Sequence, residues 1–315
     1  MGRRKKNDSL TLEERQEKMK KSLAEIDKSI HRKEVSYEQE NCVVMANNMI
    51  VNSASNLSLN ELKLLRFIIM QSEQNDQELF AFDVNVIQLA EVMDMSCETL
   101  YRELDGMTTH LMEEVIRIGT TNNKDKWKKF HWVDVCEYDK GIVTIKLSDE
   151  LKPYLLGLQK NFTMYRLTEI VSFNSGYAIR IYEMLHSCLN HDLDMNLLPH
   201  ADLATEVSFS IDEIRRATDT EDKLERYSNF KAKVIDTAIR EINLKSPYHV
   251  IATPYKRGRA VQGFDFLIES QAGYIHRTKD TNKDIKIKMS EDDLDGQMNL
   301  MDYQTSDNKF EITKG

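Results

Sequence analysis

The chain has 315 residues, of which 41% are hydrophobic, and its formal net charge is −9. This length gives room for two domains of ordinary size with modest cores, and the hydrophobic content excludes a wholly disordered chain. No apolar run is long enough to cross a membrane, so we expect a soluble, cytoplasmic protein.

Residues 1–42 form a mostly charged N-terminal arm. Its thin apolar stripe, between Leu12 and Ile30, would suit one exposed helix. We favour a solvated and partly disordered arm, because so few apolar side chains bury little surface. Residues 271–315, at the other end of the chain, are polar and acidic, and we expect them to be disordered as well.

Between these tails, the first domain is predicted over residues 43–157. Its first helix opens on a capping box, in which the Ser58 hydroxyl and the Glu61 carboxylate satisfy amide groups at the helix start. The predicted elements are, in order, a helix from Ser58 to Gln71, a short helix from Asn85 to Met93, a longer helix over residues 97–112, and strands at 115–120, 131–138 and 142–147. Gly141 permits the tight turn that joins the last two strands.

The second domain is predicted over residues 158–270. It repeats a pattern of the first, because Phe82–Ile87 and Phe209–Ile214 share Phe-x-(Val/Ile)-x-x-Ile, and each is predicted to open a short helix. The predicted elements are, in order, a helix carrying Ile179 to Leu185, a loop over residues 190–207, a helix from Ser210 to Ala217, a long helix from Arg226 to Leu244, and strands at 248–255 and 260–268. Helix, turn, helix and hairpin in both domains indicate an α+β fold with two tandem winged helices.

The long helix of the second domain carries the strongest chemical signal. Residues 223–245 hold six basic residues against three acidic ones. If its apolar side chains face the core, the opposite face is polar. That face would present Arg226, Asn229, Lys233, Asp236 and Arg240. A helix fits the major groove of DNA, where arginine and lysine donate to guanine and asparagine can bridge adenine.

The predicted hairpin of the second domain is also basic. Lys256, Arg257 and Arg259 place three cations at one turn, where Gly258 permits the bend, as in a wing that grips phosphates or the minor groove. A charged helix face is usually only solvated, so neither feature is sufficient alone. The order of capping box, turn, basic helix and basic hairpin favours DNA binding.

The matching helix of the first domain has the opposite charge. Residues 96–114 hold one arginine against five acidic residues, and phosphates would repel such a face, so we expect no base reading there. The hairpin loop that follows is basic and could clamp the DNA backbone through Lys124, Lys126, Lys128 and Lys129. We interpret Trp127 in this loop as a packing residue rather than a stacking platform.

Several blocks of the sequence match those of a known family. Asn161–Ile170 followed by Ser175–Leu185, together with Leu57–Leu65 and Phe230–Asn243, resemble the typical blocks of iteron-binding plasmid replication initiators (Rep initiators). The resemblance spans residues 43–270 in the expected order. It implies a tandem winged-helix initiator that binds direct repeats in double-stranded DNA at a plasmid origin.

The resemblance also implies a division of labour between the domains. The second winged helix would read the major groove, and the first would mediate dimerisation and auxiliary DNA contacts. Monomers, in equilibrium with the homodimer, would initiate replication with a host replication initiator and helicase. Dimers would repress the protein's own promoter or pair origins.

A short segment near the C-terminus resembles a docking peptide. Gln297–Met301 reads Gln-Met-Asn-Leu-Met, similar to the Gln-x-x-Leu-hydrophobic peptide by which bacterial proteins bind the replicative sliding clamp. Methionine stands at the last position, where an aromatic residue is often found. We therefore favour a chance match over clamp binding.

The sequence offers little for catalysis. It contains no Gly-Lys pair, which excludes a Walker phosphate-binding loop. A rolling-circle initiator, the alternative from an enzyme class, would need a His-hydrophobic-His metal motif that the sequence lacks. We expect His186, Cys188 and His191 to be packing and solvent-exposed groups, with no metal or cofactor bound. The four cysteines, Cys42, Cys97, Cys136 and Cys188, show no CxxC spacing, which argues against a zinc finger or disulfide framework. A plain winged-helix transcription repressor would share the DNA chemistry and remains a further alternative.

Overall fold

The computed structural model describes residues 31–33, 35–38, 41–54, 56–120, 123–189, 204–271, 275–278 and 283–286. Two α+β units follow one another in this part of the chain, and each contains a helix-turn-helix followed by a β-hairpin. No helix within these ranges is long and apolar enough to span a membrane. The predictions for residues 1–30, residues 190–203 and Gln297–Met301 fall outside the described residues.

The first unit is built around one buried helix. It begins with β1 (Arg32–Lys33), β2 (Cys42–Ala46), α1 (Asn47–Asn52), β3 (Ser53–Ala54) and the buried helix α2 (Leu59–Met70). The Ser58 hydroxyl accepts a hydrogen bond from the Glu61 amide at 3.3 Å, and the Glu61 carboxylate accepts one from the Ser58 amide at 2.7 Å. The predicted capping box is therefore confirmed, and it fixes the start of α2.

The first helix-turn-helix consists of α3 (Val86–Val92) and α4 (Cys97–Glu113). The Asn85 side chain caps α3 by accepting from two amides, at 2.9 and 3.2 Å, and Ser96 caps α4. The inner face of α4 buries Leu100, Leu104, Met107 and Leu111. Both helices lie where hydrophobic spacing and capping residues predict them.

A strand that was not predicted leads into α3. It is β4 (Ala81–Asn85), the second strand of a sheet ordered β1-β4-β8-β7, in which β7 (Val133–Asp139) and β8 (Ile142–Leu147) form the hairpin. Lys140 and Gly141 adopt positive φ values of 47° and 88° in the turn of that hairpin. The repeated Phe-x-(Val/Ile)-x-x-Ile pattern therefore spans a strand end and a helix start, rather than opening a helix.

The residues predicted as a basic hairpin loop lie in a strand. β5 (Val115–Thr120) pairs with β6 (Asn123–His131), and β3 completes a sheet ordered β3-β5-β6. The prediction of a loop at 124–129 is wrong, because β6 spans these residues. Trp127, Lys128 and Lys129 pair with β5 despite the weak strand propensity of lysine. The next strand then begins at Val133 rather than at residue 131.

Part of the N-terminal arm is docked on the first unit. β1 pairs in parallel with β4, and an Arg32 guanidinium nitrogen donates to Asp83 at 2.9 Å. The Tyr37 hydroxyl accepts from the Asn85 amide at 2.7 Å, and its ring lies 5.8 Å from that of Phe67. The expectation of a solvated arm is therefore wrong for residues 31–33 and 35–38, where partners distant in sequence bind polar groups of the arm.

The second helix-turn-helix follows a connecting region and a strand. The elements are α5 (Lys152–Leu155), β9 (Phe162–Arg166), α6 (Thr168–Val171), α7 (Gly176–His186), β10 (Ala204–Ser210) and α8 (Ile211–Ala217). Ser210 and Glu213 form the second predicted capping box at the start of α8. The predicted loop over residues 190–207 is wrong for 204–207, because these residues pair with a later strand as part of β10.

Three consecutive helical segments form the long helix of the second unit. They are α9 (Tyr227–Phe230), a π-helical turn (Lys231–Ile235) and α10 (Asp236–Lys245); residues 227–245 are called the basic helix below. The strands β11 (Tyr248–Arg257) and β12 (Ala260–Ser270) form the wing, in a sheet ordered β10-β12-β11. These elements agree with the predicted order of helix and hairpin.

A buried charge network joins the two units. Glu183 on α7 accepts from Arg66 on α2 at 2.5 Å, from Arg180 at 2.9 Å and from the Tyr165 hydroxyl at 2.7 Å. Arg180 also donates to the Ala217 carbonyl at the end of α8 at 2.8 Å. Burial alone would raise the pKa of Glu183, but attraction and hydrogen bonds from Arg66, with help from Arg180 and Tyr165, hold that pKa below its ordinary value.

The described residues of the acidic tail form a small hairpin. β13 (Ile275–Thr278) and β14 (Lys283–Lys286) pair antiparallel, with Ile275 opposite Lys286 and Thr278 opposite Lys283. The expectation of disorder throughout residues 271–315 is wrong for these two strands. Ile275, Thr278 and Ile285 favour a strand locally, although the overall composition of the tail is polar.

Candidate nucleic-acid interface

The polar face predicted for the basic helix is exposed. Its apolar side chains Phe230, Val234, Ala238 and Ile242 are buried. The exposed residues of the opposite face are Arg226, Asn229, Lys233, Asp236 and Arg240. Arg226 was predicted to lie within the helix. It instead directly precedes the first helical residue, in an extended conformation with φ −68° and ψ 123°. The residues meant for base contacts therefore all face solvent, and their role in binding stays a prediction.

The charges of this face are not cancelled by neighbouring acids. Asp236 accepts from the Lys231 amino group at 2.6 Å and so is already paired. Within the described part of the chain, Arg226, Lys233 and Arg240 form no ion pair. Three cations with their full charge available are suited to bind phosphates or base edges.

A π-helical turn lies in the middle of the basic helix. It spans Lys231–Ile235, and the Thr237 hydroxyl donates to the Ala232 carbonyl, five residues earlier, at 3.1 Å. The ion pair between Lys231 and Asp236 has the same five-residue spacing. π-turns are rare and recur at functional sites, and neither glycine nor proline marks this one in the sequence.

Arg215 on α8 orders the turn that leads into the basic helix, a role the sequence analysis missed. Its guanidinium donates to the carbonyls of Thr220, Lys223 and Leu224 at 2.7, 2.9 and 3.0 Å. Leu224 adopts a positive φ of 54°, which is unfavourable for a branched side chain. Three bonds to backbone carbonyls hold this turn in place and thereby set where Arg226 emerges.

The wing places its cations at an exposed tip. Lys256, Arg257 and Arg259 are all exposed, and Gly258 adopts a φ of 65° that glycine tolerates best. Further down the wing, a Cβ atom on Gly263 would lie 2.2 Å from the Phe209 carbonyl oxygen. Only glycine fits there, so the base of the wing packs closely against β10.

The corresponding helix of the first unit is acidic at its surface. Glu98, Asp105 and Glu113 on α4 are exposed, and the one arginine, Arg102, lies 3.5 Å from the carboxylate of Glu103. The predicted acidic face is therefore present on α4. Repulsion of phosphates by such a face makes α4 unsuited to the major groove.

The lysines of β6 have unequal surroundings. Lys128 forms an ion pair with Glu150 and lies over the Phe130 ring, whereas the Lys129 amino group lies 4.9 Å from the ring centroid of Trp127. Trp127 is 53% exposed, so its interpretation as a packing residue is wrong. The side chains of Lys124 and Lys126 lie outside the described residues, and the predicted backbone clamp stays a prediction.

The described cysteine and histidine side chains form no cluster that could hold a metal ion. No group of three or more possible metal ligands occurs among the described residues, and His191 of the predicted trio lies outside them. His186 is buried with its ring 4.3 Å from that of Tyr182. Burial raises the pKa of the Cys136 and Cys188 thiols, which disfavours the thiolate form that binds metals.

The two helix-turn-helix units with their wings, and the basic character of the second, define a DNA-binding protein with tandem winged helices. The family model described as "Initiator Replication protein, WH1" matches residues 42–186. The model described as "Initiator Rep protein, WH2" matches residues 210–268. The chain therefore belongs to the family of plasmid replication initiator (Rep) proteins. The first match extends beyond residue 157, the predicted end of the first domain, and that boundary stays a prediction.

Relatives with known names agree with this assignment. A replication initiation protein of Escherichia coli is 24% identical over 251 residues, covering 78% of this chain and 75% of that protein. The crystal structure of the Pi initiator protein in complex with iteron DNA has a similar fold, with a TM-score of 0.59 and 17% sequence identity. That similarity covers 74% of this chain and 99% of the Pi chain.

Proposed function

We propose that this chain initiates plasmid replication by binding direct repeats, or iterons, at the plasmid origin as double-stranded DNA. Family membership supports the initiator role, and the similar Pi initiator was crystallised with iteron DNA. The observation that carries the proposal for this chain is the exposed face of the basic helix. Its cations are not paired with acids among the described residues.

In this proposal the second winged helix reads the sequence. Arg226, Asn229, Lys233 and Arg240 enter the major groove, where they donate to base edges. Lys256, Arg257 and Arg259 in the wing bind phosphates or the minor groove and fix the register of the helix. The three bonds from Arg215 keep the start of the helix in one position relative to α8.

The first winged helix serves protein contacts in the same proposal. The acidic surface of α4 favours contacts with protein over contacts with phosphate. Dimerisation, recruitment of a host replication initiator and helicase, and repression of the protein's own promoter belong to this unit and to the dimer it forms. The protein breaks no covalent bond in DNA and works by binding, with strand opening supplied by DNA deformation or host ATPases.

A footprint of the purified full chain on supercoiled plasmid carrying direct repeats tests the proposal. We expect protected windows that recur at the repeat spacing, close to whole helical turns, with the plasmid remaining covalently closed. Uniform coverage of the DNA would refute sequence-specific binding. A nicked plasmid would favour the rolling-circle alternative, and protection of a promoter alone would favour the repressor.

A further inference from the structure

One face of the sheet β3-β5-β6 points away from the core and is unlike the rest of the first unit. Paired residues of antiparallel strands lie on the same face, and alternate residues share it. On the inner face, Ile116, Ile118 and Phe130 are buried. The residues of the opposite, outer face are Val115, Arg117, Gly119, Trp127, Lys129 and His131. We call this face the outer sheet face.

Trp127 is the prominent side chain of the outer sheet face. It is 53% exposed, which is unusual for the largest apolar side chain. Its cross-strand partner is Gly119, which has no side chain to cover the indole. The Lys129 amino group approaches the ring at 4.9 Å. One flat aromatic surface is thus presented to solvent beside a cation.

The cations of the outer sheet face are available for an anion. Arg117 lies directly across from Lys129, and both side chains are exposed. Within the described residues neither forms an ion pair, in contrast to Lys128 on the other side of the strand, which is bound to Glu150. Two adjacent cations beside an exposed indole combine backbone attraction with a stacking surface.

The outer sheet face lies close to the proposed DNA-reading unit. Ala54 of β3 pairs with Arg117, and two residues further along the chain the Asn56 side chain accepts from the Lys223 amino group at 2.8 Å. Lys223 belongs to the turn that Arg215 holds at the start of the basic helix. The strand β3, at the edge of this sheet, is therefore linked through Asn56 to the turn at the start of the basic helix.

We propose that the outer sheet face binds single-stranded DNA, with an unpaired base stacked on Trp127 and the flanking phosphates bound by Arg117 and Lys129. Bases within a duplex are stacked on each other, so an indole at a protein surface can stack only on a base that is unpaired. This site goes beyond the proposed recognition of repeats, because it reads neither base sequence nor duplex shape.

Fluorescence of the full chain provides a direct measurement. The protein has two tryptophans, and the other, Trp132, is only 2% exposed, so quenching by an oligothymidine reports stacking on Trp127. We expect quenching by oligothymidine and none by an abasic oligonucleotide of the same length. Trp127→Ala should weaken oligothymidine binding about 5- to 150-fold, the equivalent of ~1–3 kcal/mol of base stacking. Trp127→Phe should keep most of the affinity, and Lys129→Gln should reduce the salt slope by about 0.7.

Duplex binding separates this proposal from the proposed function. We expect the Trp127 variants to bind duplex repeats with unchanged affinity, and Tyr138→Ala, which removes another exposed aromatic of the first unit, to leave oligothymidine binding unchanged. Unchanged emission from Trp132 shows that a variant is folded. The proposal is overturned if Trp127→Ala binds oligothymidine as tightly as the wild type, if the abasic oligonucleotide binds equally well, or if the variant changes only dimerisation.

Discussion

The guanidinium carbon of Arg215 lies 4.3 Å from the centroid of the Phe230 ring. The same guanidinium bonds three carbonyls of the preceding turn, so it joins the turn to the first buried residue of the basic helix. The planar guanidinium of arginine can lie over an aromatic ring and donate several hydrogen bonds at once. The lysine amino group reproduces these contacts only in part.

Arg215→Lys should therefore reduce sequence discrimination more than overall DNA affinity. Each hydrogen bond that lysine cannot form contributes ~0.5–1.5 kcal/mol, so we expect the ratio of repeat to scrambled-duplex affinity to fall about tenfold. Competition binding with the two duplexes measures this ratio. Arg216→Lys is the neighbouring control, and an equal loss in both variants would contradict the positioning role.

Lys233→Ala tests the groove contact itself. If Lys233 or its neighbour Arg226 contacts a base edge, removing the side chain should weaken repeat binding by ~1–3 kcal/mol and relax the preference at one base pair. Footprints on repeats substituted at single positions locate that base pair. The control Lys160→Ala removes an exposed cation outside the interface and should leave the footprint unchanged. If the footprints of Lys233→Ala and Arg226→Ala also match the wild type, the groove assignment is refuted.

The wing should behave differently from the helix. Charge reversal at Arg257 and Arg259 removes phosphate contacts, so affinity for repeat and random duplexes should fall by a similar factor, and its salt dependence should become shallower. Titrations of both duplexes at several salt concentrations measure the two effects. A loss confined to the repeats would mean that the wing reads bases. Lys152→Glu, an exposed position on α5, controls for net charge.

The buried carboxylate Glu183 should make stability depend on pH. Its pKa is lowered in the folded state from an ordinary value of 4.5, so its contribution is fully present above about that pH and is lost as the pH falls through the lower folded-state pKa. Glu183→Gln leaves two buried guanidinium groups poorly compensated and should reduce the free energy of unfolding by about 3–5 kcal/mol at pH 7. Urea unfolding at pH 7 and at acidic pH measures both effects. The control Glu225→Gln, at an exposed position, should change neither the free energy of unfolding at pH 7 nor its dependence on pH. A wild-type free energy of unfolding that does not fall at acidic pH would contradict the network.

Deletion of residues 271–315 should leave DNA binding intact. The last strand of the wing ends at Ser270, and the backbone bond that the deletion removes from this region joins the Gln271 amide to the Pro247 carbonyl at 2.9 Å. Binding of the truncated chain to duplex repeats, compared with the full chain, provides the measurement. If the truncated protein folds but no longer binds, the tail is part of the interface.

Local signals in the sequence predicted the helices well. The capping boxes at Ser58 and Ser210 correctly predicted two helix starts, and the spacing of apolar residues predicted α4. The strands β4 and β10 were missed because the last residues of each overlap a motif that also begins a helix. The strand β6 was missed because its lysines resemble a loop, although pairing with β5 overrides that preference.

The candidate site was only partly accessible from sequence. Helical periodicity was enough to predict that Lys233 and Arg240 face solvent. The role of Arg215 could not be deduced, because its acceptors are backbone carbonyls of Thr220, Lys223 and Leu224, which any sequence would provide. The exposure of Trp127 depends on the strand pairing that places Gly119 opposite it.

Arg180 donates to carbonyls of both units, at Ala217 in the second and at Ile50 in the first. Because one guanidinium is bonded to both units, we expect it to hold them at a fixed spacing wherever both contact the same DNA. Inserting one base pair between the two contacted regions of DNA rotates one region by about 35° relative to the other. We therefore expect weaker binding to repeats of the wrong length, even when every contacted base is correct.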